Sequence, residues 1–577
     1  MGDTENPAEI ASKKALEEVY ACLDANRSFR LEAGAGAGKT YSLVKALEFL
    51  VERCQLTFPK QNQKIACITF TNVAKDQIID RVDGNPLILC DTNHAFCWSL
   101  IRGFQRQLRE FVDEIPKWNE LLEEVGGIGS RLVEYKLGFR TVSDDRITLH
   151  HDDILPLTIR LMENEKFRRL VSSLFPIILI DEYQDTDADW VEAMKTHFLG
   201  QEGAPLFGFF GDHWQKIYDE GCGALEHGAV QEIGKEANFR SVQAVVDVLN
   251  RMRPELPQFV VDSEAPGEIK VFHSNDWVGE RQKGNHWKGD LPTKIGHEAL
   301  EQVKATLIQA GWDLSSGSTK ILMLTHRVLA DEQGYSSLRD VFRYNDAFTR
   351  KEHPYIAYFV DVLEPACGAY SDNRYGLMFE CLGGGRPLLR SASEKADWAT
   401  SMDTLIRLRQ TGSVGDVLDH LLATKKPRLP DKLADREREL RDFDREGDEA
   451  MSSSLAEIAK LREVRYAEIQ ALAEYHTGHS PFETKHGVKG AQFENVVVVV
   501  GRGWNKYNFG EMLEFFASGA IPAAKQEAFI RNRNLFYVAC SRPKKQLAVL
   551  FTQELNAPAL QTLNSWFGED NVTALAL

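Results

Sequence analysis

Short apolar runs that stop at glycines or carboxylates indicate buried strands in the first half of the chain. Residues 27–33 form one candidate strand, which leads directly into a glycine-rich stretch. Apolar residues then recur at helical spacing, at Leu43, Ala46, Leu47 and Leu50. A second apolar run, residues 175–180, ends at two adjacent carboxylates. Both patterns are typical of parallel strands that are buried on both faces and end at polar site residues.

Two longer stretches have helical rather than strand patterns. Residues 97–170 carry helical patterns with several arginines, which a solvated helical face explains as readily as a contact with phosphates does. Residues 429–475 are rich in Leu, Ala, Glu, Arg and Lys at helical spacing, and Gly447 is their only glycine. A further strand is predicted at residues 320–325. The chain therefore alternates between strand-containing and helical regions.

The glycine-rich stretch has the composition of a phosphate-binding loop. Its residues are Ala33, Gly34, Ala35, Gly36, Ala37, Gly38, Lys39 and Thr40. Small residues let backbone N–H groups turn towards phosphate oxygens, and the following helix adds the positive end of its dipole. Lys39 would reach the β- and γ-phosphates, and the Thr40 hydroxyl would bind Mg²⁺. The flanking strand and helix argue against an accidental glycine-rich turn.

The carboxylates of Asp181 and Glu182 are the second candidate part of a nucleotide site. Asp181 would hold Mg²⁺, mostly through water, and Glu182 would orient and deprotonate the attacking water. This second carboxylate favours hydrolysis over transfer to another substrate. Acidic pairs at strand ends also occur in solvated loops, but this pair directly follows an uninterrupted apolar run.

The overall charge limits how the protein could hold a nucleic acid. The chain has 577 residues, and 68 Lys and Arg against 85 Asp and Glu give a formal net charge of −17. Its length allows several modules, and a hydrophobic fraction of 43% argues against wholesale disorder. A uniformly basic surface is excluded. Any nucleic acid would have to bind in a local groove.

Cysteine spacing and the first residues indicate the compartment. The nine cysteines include no CxxC pair, so a zinc ribbon, an iron–sulfur cluster and a disulfide scaffold are all poorly supported. The first residues are acidic and polar and do not resemble a signal peptide. No apolar run approaches the roughly 18 residues that a membrane span needs. We therefore expect a cytoplasmic protein without a membrane partner.

Eight short motifs occur in the order in which one helicase family carries them. They are AGAGAGKT (33–40), ITFTNVAKDQIIDRV (68–82), TNHAF (92–96), LIDEYQDT (179–186), GDHWQKIY (211–218), NFRS (238–241), TKHGVKGAQFENVVVV (484–499) and NLFYVACSR (534–542). By these motifs the chain resembles the UvrD/Rep/PcrA family of superfamily-1 DNA helicases, including its compact anti-phage-defence relatives. The resemblance covers the chain from about residue 30 to residue 550.

The resemblance implies an α/β fold with two RecA-like P-loop NTPase domains. Each would have a parallel sheet with helices on both faces, and each would carry a mainly helical insertion. The implied segments are residues 1–96 and 171–240 for the first domain, 97–170 for its insertion, 241–330 and 478–577 for the second domain, and 331–477 for its insertion.

The resemblance further implies that the chain hydrolyses ATP with Mg²⁺. Gln215 would sense the γ-phosphate, because an amide can donate to a phosphate oxygen and accept from water. Arg240 and Arg542 would reach the same phosphate across the cleft between the domains. Taken singly, either arginine would more simply be a surface ion-pair partner. The implied catalytic residues are Lys39, Glu182, Gln215, Arg240 and Arg542.

The contacts with the base and ribose depart from the family pattern. Phe239 matches an aromatic residue that stacks on adenine, whereas Tyr41 replaces an arginine that often follows the phosphate loop. Gln492, two residues after Gly490 in the same motif, replaces the usual ribose-binding glutamate. ATP specificity is therefore implied by the family rather than by these side chains.

The resemblance also implies contacts with single-stranded DNA. The implied residues are Thr69, Phe70, Thr71, Asn72, Thr92, His94, Trp214 and His486. Phe70 would supply a stacking face, a contact that is largely independent of sequence and net charge. His94 and His486 would contact the backbone, and Trp214 is a further candidate for stacking. Without the motifs, Phe70 would be expected in the core and the histidines in structural roles.

These observations predict an ATP-driven 3′→5′ translocase on single-stranded DNA that acts as a helicase on tailed duplexes. A second hypothesis is a DNA-sensing ATPase subunit that regulates a separate nuclease, of the OLD type, without processive unwinding. The second insertion, residues 331–477, is shorter than in the large members of the family, and no nuclease motif is visible; these two observations motivate it. A P-loop NTPase unrelated to nucleic acids would leave NFRS, HGVKGAQF and YVACSR as coincidences.

Overall fold

Two six-stranded parallel sheets form the framework of the protein in a computed structural model. The structure describes residues 6–577 except 137–139, 218–219, 285–286, 325–333, 343–345, 350, 352, 384–390, 447–450, 477–481, 485–490 and 503–506. The described strands are β1 Phe29–Ala33, β2 Ile65–Thr69, β3 Ile88–Thr92, β4 Leu132–Tyr135, β5 Thr141–Val142, β6 Arg146–Leu149, β7 Ile177–Asp181, β8 Leu206–Gly211, β9 Gln231–Lys235, β10 Ala237–Asn238, β11 Phe259–Val260, β12 Glu268–His273, β13 Thr319–Met323, β14 Phe482–Thr484, β15 Phe493–Val500, β16 Pro543–Phe551 and β17 Val572–Ala574.

Each six-stranded sheet defines one lobe of the molecule. The first lobe has the strand order β3-β2-β7-β8-β1-β9, and the second has the order β14-β13-β15-β16-β12-β17. Neighbouring strands in both sheets pair in parallel. Because β1 lies between β8 and β9, the phosphate-binding loop begins near the motif that follows β8. The predicted α/β class with two parallel sheets is confirmed.

Helices cover the sheets and build the insertions. Those of the first lobe and its insertion are Pro7–Asp24, Lys39–Cys54, Asn72–Arg81, Asn93–Ile101, Gln105–Val112, Asn119–Glu123, Ile154–Met162, Glu165–Leu174 and Ala188–His197. Those of the second lobe are Gln243–Met252, Thr293–Gln309, Phe509–Ser518, Gln526–Cys540 and Ala557–Phe567. Those between β13 and β14 are Ser336–Val341, Asp346–Thr349, Pro354–Tyr358, Glu364–Ser371, Tyr375–Cys381, Ala392–Thr411, Val414–Thr424, Asp431–Glu446, Ser453–Glu463 and Tyr466–His476.

The valine run of β15 shows why these sheets are covered on both faces. Val496, Val498 and Val500 belong to one buried cluster of the second lobe. Val497 and Val499 belong to another cluster, on the opposite face. Alternate side chains of a strand point to opposite faces, so a continuous apolar run is stable only where both faces are packed. Each fully buried valine contributes about 1.5–3 kcal/mol relative to an exposed one.

The two insertions differ in secondary structure. Within residues 97–170 the helices are accompanied by a three-stranded sheet of order β4-β6-β5, which the sequence analysis did not predict. The described part of residues 331–477 is helical and has its own buried cluster. The boundary implied near residue 240 falls between β10 and β11, which pair with each other. Among the described residues, no helix is both long enough and apolar enough to cross a membrane.

Candidate functional site

The phosphate-binding loop has the backbone that its glycines predict. It joins β1 to the helix Lys39–Cys54, and Gly36 and Gly38 have φ angles of 77° and 75°. This left-handed conformation costs little only for glycine. A Cβ on Gly36 would also lie 2.7 Å from Asn238 Oδ1, so a side chain would collide with the NFRS motif. Gly38 precedes this helix and has no side chain to cap it, so the first N–H groups of the helix point towards the loop, as anion binding requires.

Lys39 and Glu182 meet at the carboxyl end of β7. Lys39 Nζ lies 2.9 Å from Glu182 Oε2. Burial alone would lower the pKa of Lys39, but the carboxylates of Glu182, Asp212 and Asp181 outweigh it, so the pKa is raised. Lys39 therefore stays charged. Glu182 has φ 49°, a left-handed conformation that costs energy for a non-glycine residue, and such strain clusters at functional sites.

The predicted γ-phosphate sensor is held between the two lobes. Gln215 ends the short 3-10 turn His213–Gln215, and its Nε2 donates to Asp212 Oδ2 at 2.6 Å. Its Oε1 accepts from Arg542 Nη2 at 3.2 Å. The helix Gln526–Cys540 of the second lobe supports the same turn, because Asn534 Nδ2 donates to His213 O at 2.9 Å. Asn534 is a site residue that the sequence analysis missed.

Gln184 is another missed residue, although it lies inside a recognised motif. Its Nε2 donates to Glu182 Oε2 at 2.6 Å, and its Oε1 accepts from the Asp212 backbone N–H at 3.0 Å. The buried Gln184 amide thus connects Glu182, the candidate general base, to Asp212 at the end of β8. A hydrogen bond of this kind also fixes which way the Glu182 carboxylate points.

Arg240 and Arg542 form a pair of like charges, in which Arg542 is buried and Arg240 is half-buried. Burial and then the charge of Arg240 lower the pKa of Arg542 to about 9, and burial lowers the pKa of Arg240. Arg240 Nη1 donates to Ser541 O at 3.0 Å, beside Arg542 in the chain. The carboxylate of Glu182 partly opposes this lowering of the pKa in both arginines. Two guanidiniums held together against their repulsion suit a bound polyanion.

Tyr41 and Phe239 place two exposed rings beside the phosphate loop. Their side chains are 53% and 45% exposed. Lys235 Nζ lies 5.8 Å from the Tyr41 ring centroid and 6.0 Å from that of Phe239, so both rings border the same ammonium. Exposed aromatic faces at this position suit stacking of a base. Gln492 is exposed, and Gly490 lies outside the described residues.

Lys235 is a third residue that sequence reasoning did not identify. Its side chain is buried, and Nζ donates to Gly38 O at 3.2 Å and to Ser42 Oγ at 2.7 Å. Burial lowers its pKa to about 8. These contacts tie the end of β9 to the first turn of the helix Lys39–Cys54. No motif marks this lysine, because its role depends on strand pairing in the first sheet.

Thr40 and Asp181 provide the oxygen ligands that Mg²⁺ prefers. Thr40 is the second residue of the helix after the loop, and Asp181 is the last residue of β7. A hydroxyl and a carboxylate are hard donors of the kind found in nucleotide-bound Mg²⁺ sites. Asp181 Oδ1 accepts the backbone N–H of Glu182 at 3.0 Å, which orients the carboxylate. The donor set therefore fits the ion that the sequence analysis predicts.

A groove of about 840 Å³ brings together most of the residues expected to bind DNA. Its lining includes Thr69, Phe70, Thr71, Asn72, Thr92 and His94. Phe70 directly follows β2 and is 42% exposed, so it is not a core residue. The His94 ring stacks on His151, with centroids 3.5 Å apart. Burial and then the charge of His151 lower the pKa of His94 to about 4, so His94 is neutral at pH 7.

Charge in the groove is mainly negative. The carboxylates in its lining belong to Asp152, Asp181, Asp185, Asp187, Asp189 and Glu220, against the ammonium of Lys117. Phosphate groups would be repelled from such a surface, whereas uncharged bases would not. The groove therefore suits bases better than backbone.

The ring of Trp214, a predicted stacking surface for a base, is buried in the structure. Trp214 is only 5% exposed and belongs to a buried cluster. The guanidinium of Arg533 lies 3.9 Å from its ring centroid, and the Tyr537 ring packs edge-on at 5.4 Å. Residues of the second lobe therefore cover the ring of Trp214. The other expected DNA contact, His486, lies outside the described residues.

Comparisons with known proteins agree with this geometry. A family model described as an AAA domain matches residues 18–220, the part of the chain that holds most of the first sheet. The chain is 21% identical to the Gabija protein GajB of Bacillus cereus (strain HuB5-5), over 94% of this chain and 96% of that protein. It is 26% identical to the ATP-dependent DNA helicase Rep of Escherichia coli (strain K12) over 44% of this chain. That match spans 45% of the length of Rep.

Proposed function

We propose that this chain, whose resemblance to the UvrD/Rep-like superfamily-1 helicases is confirmed by its relatives, is an ATP-driven 3′→5′ single-stranded DNA translocase and helicase. The observation that carries the proposal is the meeting of first-lobe and second-lobe residues at one nucleotide site. Gln215 Oε1 of the first lobe accepts from Arg542 Nη2 of the second at 3.2 Å. A triphosphate bound to Lys39 would therefore be contacted by residues of both lobes.

The proposed catalytic residues act on different parts of the reaction. Lys39 and backbone N–H groups of the loop and of the first helical turn bind the phosphates. Glu182 accepts the proton of the attacking water, with its carboxylate oriented by Gln184. Arg240 and Arg542 stabilise the charge that develops on the transferred phosphoryl group. Mg²⁺ held by Thr40 and Asp181 would neutralise phosphate charge when bound.

Each cycle of ATP binding and hydrolysis at such a site would alternately strengthen and weaken the binding of each lobe to DNA. Contacts from both lobes would converge on the γ-phosphate, so a triphosphate would favour the closed arrangement more strongly than a diphosphate. A ligand can shift a conformational equilibrium only by this difference in affinity. The direction, 3′→5′, is taken from the family.

The groove beside Phe70 is the proposed track for single-stranded DNA. Bases would stack on Phe70 and contact Asn72, with the phosphates turned away from the acidic lining. Because few phosphates would be neutralised by lysine or arginine, affinity should depend only weakly on salt. The slope of log K against log salt is expected to be well below that of a protein with six to ten phosphate contacts.

The experiment is an ATPase assay with Mg²⁺ in the presence of single-stranded DNA, duplex DNA or RNA. We expect stimulation by single-stranded DNA, loss of hydrolysis in Lys39→Ala, and displacement of a strand from a 3′-tailed duplex. Absence of stimulated hydrolysis, or its persistence in Lys39→Ala, would overturn the proposal. Unwinding of 5′-tailed but not 3′-tailed duplex would overturn the direction alone.

A second candidate is a DNA-sensing ATPase subunit that regulates a separate nuclease, of the OLD type in the sequence hypothesis. The match to GajB, whose name does not describe it as a helicase, extends over nearly the full length of both proteins, whereas the match to the helicase Rep covers less than half of this chain. A role other than unwinding is therefore kept as a candidate. This role predicts DNA-stimulated hydrolysis without displacement on any tailed duplex. Co-purification with a nuclease encoded by an adjacent gene would support it, and processive unwinding by the isolated chain would exclude it.

A further inference from the structure

A buried arginine from the second lobe enters the first lobe beside the sensor. Arg253 follows the helix Gln243–Met252, whose Val245, Val248 and Leu249 pack in the core of the second lobe. Arg253 is 2% exposed. Its Nη1 donates to Asp212 Oδ1 at 2.6 Å, and its Nη2 donates to Glu32 Oε1 at 3.0 Å. One guanidinium therefore bridges two first-lobe carboxylates, Glu32 in β1 and Asp212 immediately after the neighbouring strand β8.

The Asp212 carboxylate binds both Arg253 and the predicted sensor Gln215. Its Oδ1 accepts from Arg253, and its Oδ2 accepts from Gln215 Nε2 at 2.6 Å. With its amide N–H₂ held, Gln215 turns its Oε1 towards Arg542. An unbroken series of contacts thus runs from Arg253 through Asp212 and Gln215 to a candidate catalytic arginine.

Glu32 anchors the other end of the guanidinium. Its Oε2 accepts from the Tyr183 hydroxyl at 2.6 Å, and its Oε1 accepts from the His213 backbone N–H at 2.9 Å. Burial would raise the pKa of Glu32, but the hydrogen bond from His213 and the charges of His213 and Arg253 lower it well below its ordinary value. Glu32 is therefore an ionised partner for Arg253.

The same carboxylates do not form a convincing metal site. Ligand atoms of Glu32, Asp212 and His213 approach within 4.8 Å of one another. However, the guanidinium of Arg253 already contacts both carboxylates. A divalent cation would have to replace a fixed cation that is bound at 2.6 and 3.0 Å. The cluster is better explained as an ion-pair network across the two lobes.

We propose that Arg253 is a positioning residue for the γ-phosphate sensor. It holds Asp212 so that the Gln215 amide presents its oxygen to Arg542 and its remaining N–H to the phosphate. This inference rests on the proposed ATPase function. Without Arg253, the fully buried Asp212 carboxylate would lose its counter-charge and would move or become protonated. Because Arg253 belongs to the second lobe, the Gln215 amide is oriented in this way only when the two lobes are in contact at Asp212.

The first experiment measures DNA-stimulated ATPase in Arg253→Met and Arg253→Lys. We expect kcat to fall roughly 10- to 100-fold in Arg253→Met, because a misplaced sensor loses its contact with the γ-phosphate in the transition state as well as in the bound nucleotide. Arg253→Lys should recover part of the loss. In the double variant with Gln215→Ala, the two effects should not multiply. Multiplicative effects, or an unchanged kcat, would overturn the proposal.

A matched control separates positioning from general destabilisation. Arg409 pairs with Glu364 in the second insertion, and both side chains are 10% exposed. Arg409→Met removes a similar buried ion pair far from the nucleotide site. It should lower the midpoint of urea unfolding as Arg253→Met does, but leave kcat unchanged. Equal losses of kcat per folded molecule in both variants would contradict the positioning role.

A binding measurement keeps the inference testable if the protein hydrolyses nothing. Gln215 is expected to distinguish a γ-phosphate, so the ratio of the Kd for ADP to the Kd for AMP-PNP, each with Mg²⁺, reports on the sensor. We expect Arg253→Met to lower this ratio to the value of Gln215→Ala. A wild-type protein without ATPase activity would refute the proposed function, whereas an unchanged ratio in Arg253→Met would refute the positioning role.

Discussion

Lys39 Nζ lies 2.9 Å from Glu182 Oε2, so the lysine expected to bind phosphate is paired with the carboxylate expected to activate water. A triphosphate bound at Lys39 would compete with Glu182 for this ammonium. Nucleotide binding would then free the carboxylate proposed as the general base, because the same contact must break for both.

Replacing Glu182 by glutamine should separate binding from hydrolysis. Loss of the general base is expected to lower kcat by about 10²- to 10⁴-fold. Loss of the competing ion pair, worth up to about 1 kcal/mol for such a partly exposed pair, should tighten ATP binding by up to about fivefold. The measurement is the Kd for a fluorescent ATP analogue alongside steady-state ATPase. Weaker binding in Glu182→Gln would contradict the competition.

Replacing Arg542 by lysine should impair catalysis more than binding. Lysine keeps the charge but loses the planar fork that bridges phosphate oxygens. We expect a fall of about 10³-fold or more in kcat, as for other arginines that contact a transferred phosphoryl group. The matched control is Arg251→Lys, at an exposed arginine that donates to Trp566 O. Its kcat should equal that of the wild type, and a normal kcat in Arg542→Lys would rule out the assigned role.

Truncating Phe70 should weaken binding to single-stranded DNA. A lost stacking contact is worth about 1–3 kcal/mol, which corresponds to roughly a 5- to 150-fold increase in Kd. The effect should be similar for different sequences, and it can be measured by fluorescence anisotropy with labelled oligonucleotides. Val73→Ala is the control, because Val73 is exposed on the next helix but is absent from the groove lining. Equal affinity in the two variants would remove Phe70 from the track.

Replacing Trp214 should affect stability rather than DNA binding. Its ring packs against Arg533 and Tyr537, so Trp214→Ala removes a large buried side chain and is expected to cost about 3–5 kcal/mol. Trp214→Phe keeps part of the packing and should fold well enough for assay. We expect its Kd for single-stranded DNA to match the wild type. A Kd raised as much as in Phe70→Ala would restore the stacking role.

His94 should make the protein less stable in acid. Its pKa is about 4 when folded and about 6.5 in an unfolded chain. Between these values the unfolded state binds more protons, so stability rises with pH from about 4 to 6.5 and is lost as pH falls through that window. His94→Gln should reduce the difference between urea midpoints at pH 4.5 and pH 7. An unchanged difference in His94→Gln would contradict this role.

The sequence by itself determined the local chemistry of the nucleotide site. Gly36 and Gly38 have the left-handed angles that a phosphate loop needs, and Asp181 ends a buried strand as its apolar run predicts. Such features depend on a few consecutive residues, whose backbone preferences and burial pattern can be read directly from the order of side chains. Phe70 was ambiguous by pattern alone, and the end of β2 at Thr69 leaves it exposed.

Only the tertiary structure decided which distant side chains support that site. Glu32 and Arg253 are 221 residues apart, and Lys235 reaches the phosphate-loop helix only because β9 pairs with β1. Trp214 lies within a motif, yet its environment is set by Arg533 and Tyr537 of the other lobe. Burial of charge is stable only when a partner arrives in the right place, and that partner is chosen by the packing of whole sheets and helices rather than by neighbours in the chain.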